Sequence, residues 1–208
     1  MTKVHPNASG GACVSEAERS KSISGGDAVV LTVWKKSLLP NCNGFTVFDA
    51  RGDLVFRVDN YIARNKRHIL LMDAAGTPLL TIRRKRLSFG DTWLVFEGED
   101  DSLKPLFTAR KNVNILNKCL AQVFSSSGTG TGTMKKEVAY EMEGSYVQRC
   151  CTFYNNNRRK VAEIKMKEAA AGGVAFGADI FRLIVQPHMD TALAMAFLIL
   201  LHHMFGSR

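Results

Sequence analysis

The sequence predicts a mainly-β protein, a barrel of about twelve antiparallel strands that encloses a hydrophobic C-terminal α-helix. Three observations predict this fold class. The chain ends in an unbroken apolar stretch of strong helix formers, two copies of one hairpin pattern follow each other, and strand-length runs bounded by turn residues fill most of the remainder. An all-β chain of 208 residues suits a single domain, which we expect to span residues 28–208.

The C-terminal helix is predicted over about residues 190–204. Every residue from Ala192 to Leu201 is apolar, and Ala, Leu and Met are strong helix formers. Pro187 ends the preceding segment, Asp190 can cap the first turn with its carboxylate, and Gly206 offers a left-handed exit. Because a helix that is apolar on every side has no face for water, it must be enclosed by protein or by lipid.

Two successive hairpins share one sequence pattern. Phe45–Val58 consists of two short strands around Asp-Ala-Arg-Gly, and Ile69–Ile82 repeats this pattern 24 residues later around Asp-Ala-Ala-Gly. In each hairpin Asp starts the turn, and Gly supplies the positive φ that closes it. Consecutive hairpins of one kind predict an antiparallel meander.

Further strand-length runs lie before and after the two hairpins and extend the meander as far as the helix. They are Ala28–Trp34, Thr92–Phe96, Pro105–Arg110, Cys119–Phe124, Lys136–Met142, Gly144–Tyr154, Arg159–Lys167 and Ile180–Gln186. Residues 1–27 are predicted to be a disordered tail, and Ser125–Thr133 a low-complexity loop. Because an eleven-stranded can is wide enough to hold a helix, about twelve strands can enclose this one.

A membrane anchor is the alternative enclosure for the helix. A spanning helix needs about 20 apolar residues. The apolar run here is shorter, and it is bracketed by Pro187, His188, Asp190, His202 and His203. We therefore expect the strands, and not lipid, to surround the helix.

Five segments together carry a likeness to a known family: Leu31–Leu38, Gly44–Asp49, Met72–Lys85, Gly144–Tyr146 and Phe181–Leu201. They resemble the LURP-one-related proteins of plants, over about residues 28–201. The resemblance implies the tubby C-terminal-like fold, a twelve-stranded β-barrel around a hydrophobic C-terminal helix that is shared with tubby-like proteins and phospholipid scramblases. By analogy with relatives, it also implies phosphoinositide binding and a role in plant defence signalling.

The candidate ligand site is the densest basic run of the chain, at residues 83–86, together with three basic residues in the turn between the two hairpins. The net charge of +9 favours anionic partners, and each basic residue near anionic lipid contributes about 1 kcal/mol. Alternate residues of a strand face opposite sides, so at most half of the run can join one patch. A solvated rim is the alternative, for this run and for the turn at 158–160. The residues that we expect to bind lipid headgroups are Arg64, Lys66, Arg67, Arg83, Arg84, Lys85 and Arg86.

The sequence carries no recognisable catalytic or metal-ligating pattern. His68 and His188 have no Cys or carboxylate at metal-ligand spacing, and no nucleophile elbow or paired acidic motif appears. We predict a non-enzymatic protein with no cofactor and no metal. The five cysteines are odd in number and form no CxxC, which indicates a reduced intracellular protein. The adjacent Cys150 and Cys151 are expected on opposite faces of a strand.

Our functional prediction is a monomer that binds an acidic, phosphoinositide-type membrane lipid, with a protein partner in defence signalling as an addition. We expect it in the cytoplasm or at the inner face of the plasma membrane, with the nucleus as an alternative. The alternative functions are a nucleic-acid-associated regulator of the membrane-tethered transcription-factor type, and a scramblase-like lipid protein. Nucleic-acid binding is disfavoured, because no predicted helix is free to enter a groove.

Overall fold

The structure, a computed structural model, describes residues 26–38, 43–61, 68–86, 90–99, 104–112, 118–126, 137–167 and 177–206. The predicted tail and most of the predicted loop Ser125–Thr133 lie outside these ranges. Within them the chain forms twelve strands and one helix: β1 Val29–Trp34, β2 Gly44–Phe48, β3 Leu54–Tyr61, β4 His68–Asp73, β5 Pro78–Arg84, β6 Thr92–Glu97, β7 Phe107–Lys111, β8 Cys119–Ser125, β9 Val138–Ser145, β10 Cys150–Asn155, β11 Lys160–Met166, β12 Ile180–Val185 and α1 Thr191–Phe205.

The strands form one closed antiparallel barrel in chain order. Each strand pairs with its neighbours in sequence, and the ring closes because β1 pairs with both β2 and β12. At this closure Val33 lies opposite Phe181 on one side and Val47 on the other, and all three side chains are fully buried. The predicted fold class, a twelve-stranded barrel with a C-terminal helix, is confirmed.

Both repeated hairpins form as predicted, as β2–β3 and β4–β5. Asp49 and Asp73 each accept the backbone N–H of the residue four positions later, at 2.9 and 2.7 Å. Gly52 and Gly76 have φ angles of 91° and 92°, in the left-handed region that glycine adopts without steric cost. The local pattern of Asp and Gly therefore fixes both turns.

The helix α1 runs inside the barrel. Asp190 accepts the backbone N–H of Leu193 at 2.7 Å, so the predicted cap is confirmed. Every residue from Ala194 to Leu201 has 0% exposure, and Phe197 packs against aromatic rings from β7, β9 and β10. Each large apolar side chain enclosed in this way contributes about 1.5–3 kcal/mol. No helix among the described residues is long and apolar enough to cross a membrane.

The exit from the helix differs from the prediction. Gly206 has φ −65° and ψ 133°, an extended and not a left-handed conformation. The last turn is completed from outside the helix, because Nζ of Lys111 on β7 donates to the carbonyl oxygen of Met204 at 2.7 Å. Position 206 needs glycine for a different reason, since a Cβ there would meet the carbonyl oxygen of His202.

The boundary between β9 and β10 also differs from the prediction. The sequence predicts a strand that begins at Gly144, whereas β9 continues through Ser145 and the turn occupies Tyr146–Arg149. Gly144 has a φ of 111°, and a Cβ there would meet the carbonyl oxygen of Cys150. This glycine therefore permits a close approach between paired strands and does not mark a turn.

Candidate anion-binding end of the barrel

The enclosed helix distinguishes the two ends of the barrel. At the entry end, α1 begins directly after its cap residue, Asp190. At the exit end, His202 lies against Phe45 at the start of β2, with ring centroids 5.0 Å apart, and His203 lies 5.4 Å from Trp93 at the start of β6. Because consecutive strands are antiparallel, every odd-numbered strand ends at the exit end, and every even-numbered strand begins there.

Exposed and half-exposed cations collect at the exit end. They lie at or next to the exit-end termini of four strands, β1, β5, β8 and β11. We call this set the basic rim: Lys35, Lys36, Arg84, Lys85, Arg86, Lys118, Lys165 and Lys167. Beyond the strand termini at this end, the acidic residues that the structure describes are Asp91 and Asp179.

Acidic residues collect at the entry end instead. They are Asp27, Asp49, Asp53, Asp73, Glu97, Glu99, Glu137 and Asp190. Five described cations also lie there, and two of them make intramolecular pairs: Nη1 of Arg158 lies 2.7 Å from Glu141 and 2.8 Å from Glu143, and Lys160 lies 3.3 Å from Glu163. The other three are Arg51, Lys104 and Arg159. Charge is therefore separated along the barrel axis.

Four of the seven residues predicted to bind headgroups lie within the described part of the chain, and three do not. Arg64, Lys66 and Arg67 lie outside the described residues, although the strand termini on either side of them, Tyr61 and His68, are at the exit end. The guanidinium of Arg83 lies over the ring of Phe96, at 4.8 Å from its centroid. The next three residues, at 84–86, are exposed at the rim, because β5 ends at position 84 and its alternation of faces ends with it.

A buried cluster closes the exit end inside the basic rim. Oη of Tyr146 lies 3.3 Å from Nδ1 of His202. The guanidinium of Arg149 lies between two rings, 4.4 Å from the centroid of Tyr146 and 4.3 Å from that of Phe181. It also donates to the carbonyl oxygens of Ala178 at 2.9 Å and Tyr146 at 3.3 Å. The cluster joins the β9–β10 turn, the start of β12 and the end of α1.

Burial keeps Tyr146 and the two histidines at the end of α1 neutral. Burial, followed by the proximity of His203, Lys35 and Arg149, lowers the pKa of His202 to about 3. Burial lowers the pKa of His203 to about 4 and raises the pKa of Tyr146 to about 12. At neutral pH these three groups add no charge, so they do not neutralise the cations of the rim.

The structural role of Arg149 is not predictable from the sequence. The sequence predicts strand where the structure has its turn, and no sequence pattern indicates its φ of 52°. The opposite orientation of the two adjacent cysteines is confirmed, since Cys150 is exposed and Cys151 is buried. Among the described residues, no group of three or more His, Cys, Asp or Glu is placed to hold a metal ion.

Comparisons with known proteins find relatives along nearly the whole chain. The family model for LURP-one-related proteins matches residues 29–202. Protein LURP-one-related 8 of Arabidopsis thaliana is 52% identical, with 100% of both chains covered. Protein LURP-one-related 17 of the same plant is 41% identical over 88% of this chain and 86% of its own. The X-ray structure of an Arabidopsis thaliana protein has the same fold, with a TM-score of 0.60 and 23% identity, covering 84% of this chain and 89% of that one.

Proposed function

The chain belongs to the LURP-one-related family, as the sequence resemblance predicts, and we propose that it binds acidic membrane lipids through the exit end of its barrel. In this proposal it is a peripheral, non-enzymatic interaction module. The observation that supports the proposal is the separation of charge along the barrel axis, with the basic rim at the exit end and the acidic turns at the entry end.

The distribution of the basic rim favours a flat charged surface over a small ligand. Its members come from β1, β5, β8 and β11, which are spread around the closed ring. Cations around the circumference of a barrel end can approach a plane together, and each one near an anionic bilayer contributes about 1 kcal/mol. A small anion would contact only one part of this ring.

The ion pairs within the basic rim are compatible with headgroup binding. Nε of Arg84 lies 2.8 Å from Asp91, and Nζ of Lys165 lies 3.1 Å from Glu163. Both basic side chains are about half exposed, and exposed pairs of this kind contribute little to stability. A lipid phosphate can therefore replace either carboxylate at small cost.

Nucleic acid is the competing anionic partner. The rim has the charge for it, but the helix that the structure describes is enclosed and cannot enter a groove. Both partners would bind more weakly at high salt, so the test has to include both.

Co-sedimentation with lipid vesicles tests the proposal. We expect binding to phosphatidylcholine vesicles that contain phosphatidylserine or a phosphoinositide, no binding to phosphatidylcholine alone, and weaker binding as salt rises. The triple variant Arg84→Glu, Lys85→Glu, Arg86→Glu should bind at least about tenfold more weakly, since it reverses three rim charges.

A triple variant at the entry end is the matched control. Arg51→Glu, Lys104→Glu, Arg159→Glu makes the same change in net charge, and all three side chains are exposed. Its vesicle binding should stay within about threefold of that of the unmodified protein. Equal losses in the two variants would mean that net charge alone drives binding. Tight, sequence-dependent binding to duplex DNA would favour the nucleic-acid alternative.

A further inference from the structure

Large apolar side chains are exposed at the same end of the barrel as the basic rim. Of the residues that the structure describes, five large apolar side chains are more than a third exposed: Trp34 at 37%, Leu38 at 52%, Leu106 at 37%, Val147 at 72% and Met166 at 54%. Leu106 precedes β7 at the entry end, and the other four lie at the exit end. Single exposed apolar residues are common on protein surfaces, but four of these five lie at the same end of the barrel.

Three of the four exit-end residues lie on one continuous arc of the ring, and Leu38 lies next to this arc, in the connection from β1 to β2. Trp34 ends β1 opposite Ile180, and Met166 ends β11 opposite Phe181, so the two residues lie on either side of the start of β12. Trp34 is out of phase with the buried residues of its strand, whereas Met166 is in phase with those of β11. Val147 lies in the turn that joins β9 to β10, the strand next to β11. Neighbouring strands are about 4.8 Å apart, so this arc of five adjacent strands measures about 20 Å. We call Trp34, Leu38, Val147 and Met166 the apolar edge.

The exposure of Met166 is not explained by the core of the barrel. On β11, the residues in phase with it, Ala162 and Ile164, are buried. Met166 follows the same alternation but is the last residue of its strand, where it extends past the enclosed volume. A long apolar side chain in this position lies at the margin of the fold and is available to a partner.

The apolar edge alternates with cations of the basic rim. Lys165 and Lys167 flank Met166 in sequence, and Lys35 and Lys36 follow Trp34. Nζ of Lys36 lies 5.0 Å from the ring centroid of Trp34. Trp favours the boundary between headgroups and acyl chains, and Lys can keep its ammonium group among phosphates while its stem lies along apolar surface. An anionic bilayer supplies both environments at adjacent depths, which a nucleic acid does not.

We propose that the apolar edge inserts into the acyl-chain boundary of an anionic bilayer, so that the barrel docks by its exit end and the β1–β12–β11–β10–β9 side of that end lies deepest. This inference rests on the proposed lipid binding and adds an orientation and an apolar contribution to it. Electrostatic attraction is screened by salt, whereas burial of apolar surface is not. Part of the binding free energy should therefore be insensitive to salt, and this part should come from the apolar edge.

Fluorescence of Trp34 tests insertion directly. The chain has two Trp residues, and the other, Trp93, is 7% exposed, so it provides a constant background. With phosphatidylserine-containing vesicles, we expect the emission to shift to shorter wavelength and to be quenched by lipids brominated on their acyl chains. The variant Trp34→Phe should still sediment with vesicles but should lose the quenchable part of the emission.

Two substitutions test the apolar contribution. Val147→Ser and Met166→Ser should each weaken binding to vesicles about three- to tenfold at high salt, since each removes apolar surface that the bilayer would bury. Leu106→Ser at the entry end is the matched control and should bind as the unmodified protein does. Thermal melting of all three variants checks that the fold is retained.

The outcomes separate this inference from the proposed function. Sedimentation with anionic vesicles, but with unquenched Trp34 emission and unchanged binding of Val147→Ser and Met166→Ser, overturns the insertion and leaves the lipid binding in place. Absence of sedimentation with every vesicle overturns both. Self-association in analytical ultracentrifugation that Val147→Ser abolishes, without any vesicle binding, would assign the edge to a second copy of the chain and also overturns the insertion.

Discussion

Arg149 is a buried arginine that two aromatic faces and two carbonyl oxygens hold in place. It is 7% exposed and forms no ion pair within the described chain. A planar guanidinium can stack on rings through its faces while it donates hydrogen bonds in its plane, which an ammonium group cannot do. The residue therefore fastens the β9–β10 turn to the start of β12, in spite of its positive φ of 52°.

Removal of this side chain should destabilise the protein strongly. We expect Arg149→Ala to lower the free energy of unfolding by about 3 kcal/mol, because it removes two hydrogen bonds of a charged donor and opens a gap between two rings. Arg158 is the matched control, since it also lies in a turn with a positive φ, of 59°, and stacks on a tyrosine, but is exposed. Urea unfolding should show a much smaller loss for Arg158→Ala, and equal losses would contradict the assigned role of burial.

The helix α1 ends in two histidines that the barrel shields from water. Burial lowers the pKa of His202 to about 3 and of His203 to about 4, whereas in the unfolded chain both titrate near 6.5. Between about pH 6.5 and pH 4 the unfolded chain thus binds more protons than the folded protein. Stability is complete above this window and falls as the pH is lowered through it.

This pH dependence is measurable through denaturant midpoints. At pH 5, each ring should reduce the free energy of unfolding by up to about 2 kcal/mol relative to pH 8. The double variant His202→Gln, His203→Gln should show a flatter profile between pH 8 and pH 5, whatever its absolute stability. His188 is exposed, and His188→Gln is the matched control. An unchanged slope in the double variant would show that the two rings are not shielded.

The sequence predicts well those elements whose conformation is determined by residues close to each other in the chain. The apolar run at 192–201 requires enclosure wherever it lies, and the Asp and Gly of each hairpin fix a turn without help from the rest of the chain. Arg149 could not be predicted, because its partners come from the start of β12 and from its own turn, far apart in sequence. Met166 fits the alternation of β11 as a core residue, and only the end of the enclosed volume makes it exposed.

The separation of charge along the barrel axis can be predicted from the sequence. In a meander, alternate turns lie at the same end of the sheet, so sorting the turns by odd and even position places 84–86 with 35–36 and opposes them to Asp49 and Asp73. The predicted ligand site instead combines the run at 83–86 with the neighbouring turn at 64–67, and leaves out the other turns at the same end. The structure distributes cations around a ring.

At the scale of the whole molecule, the barrel has one basic end and one acidic end. The net charge of +9 does not show this, since it sums over both ends. The carbonyl groups at the end of a helix carry partial negative charge, but Lys111 binds the carbonyl oxygen of Met204 at the exit end. The basic rim and the apolar edge then face solvent together, in the arrangement that an anionic bilayer complements.

Hydrogen–deuterium exchange with and without phosphatidylserine vesicles tests this orientation most directly, because it compares both ends in one unmodified protein. We predict slower exchange on vesicle binding at the exit end, in residues 34–38, 84–86, 146–149 and 165–167, with no change in the entry-end turns at 49–52, 73–76 and 155–158. Protection of the entry-end turns, or unchanged exchange at the exit end of vesicle-bound protein, would contradict the account.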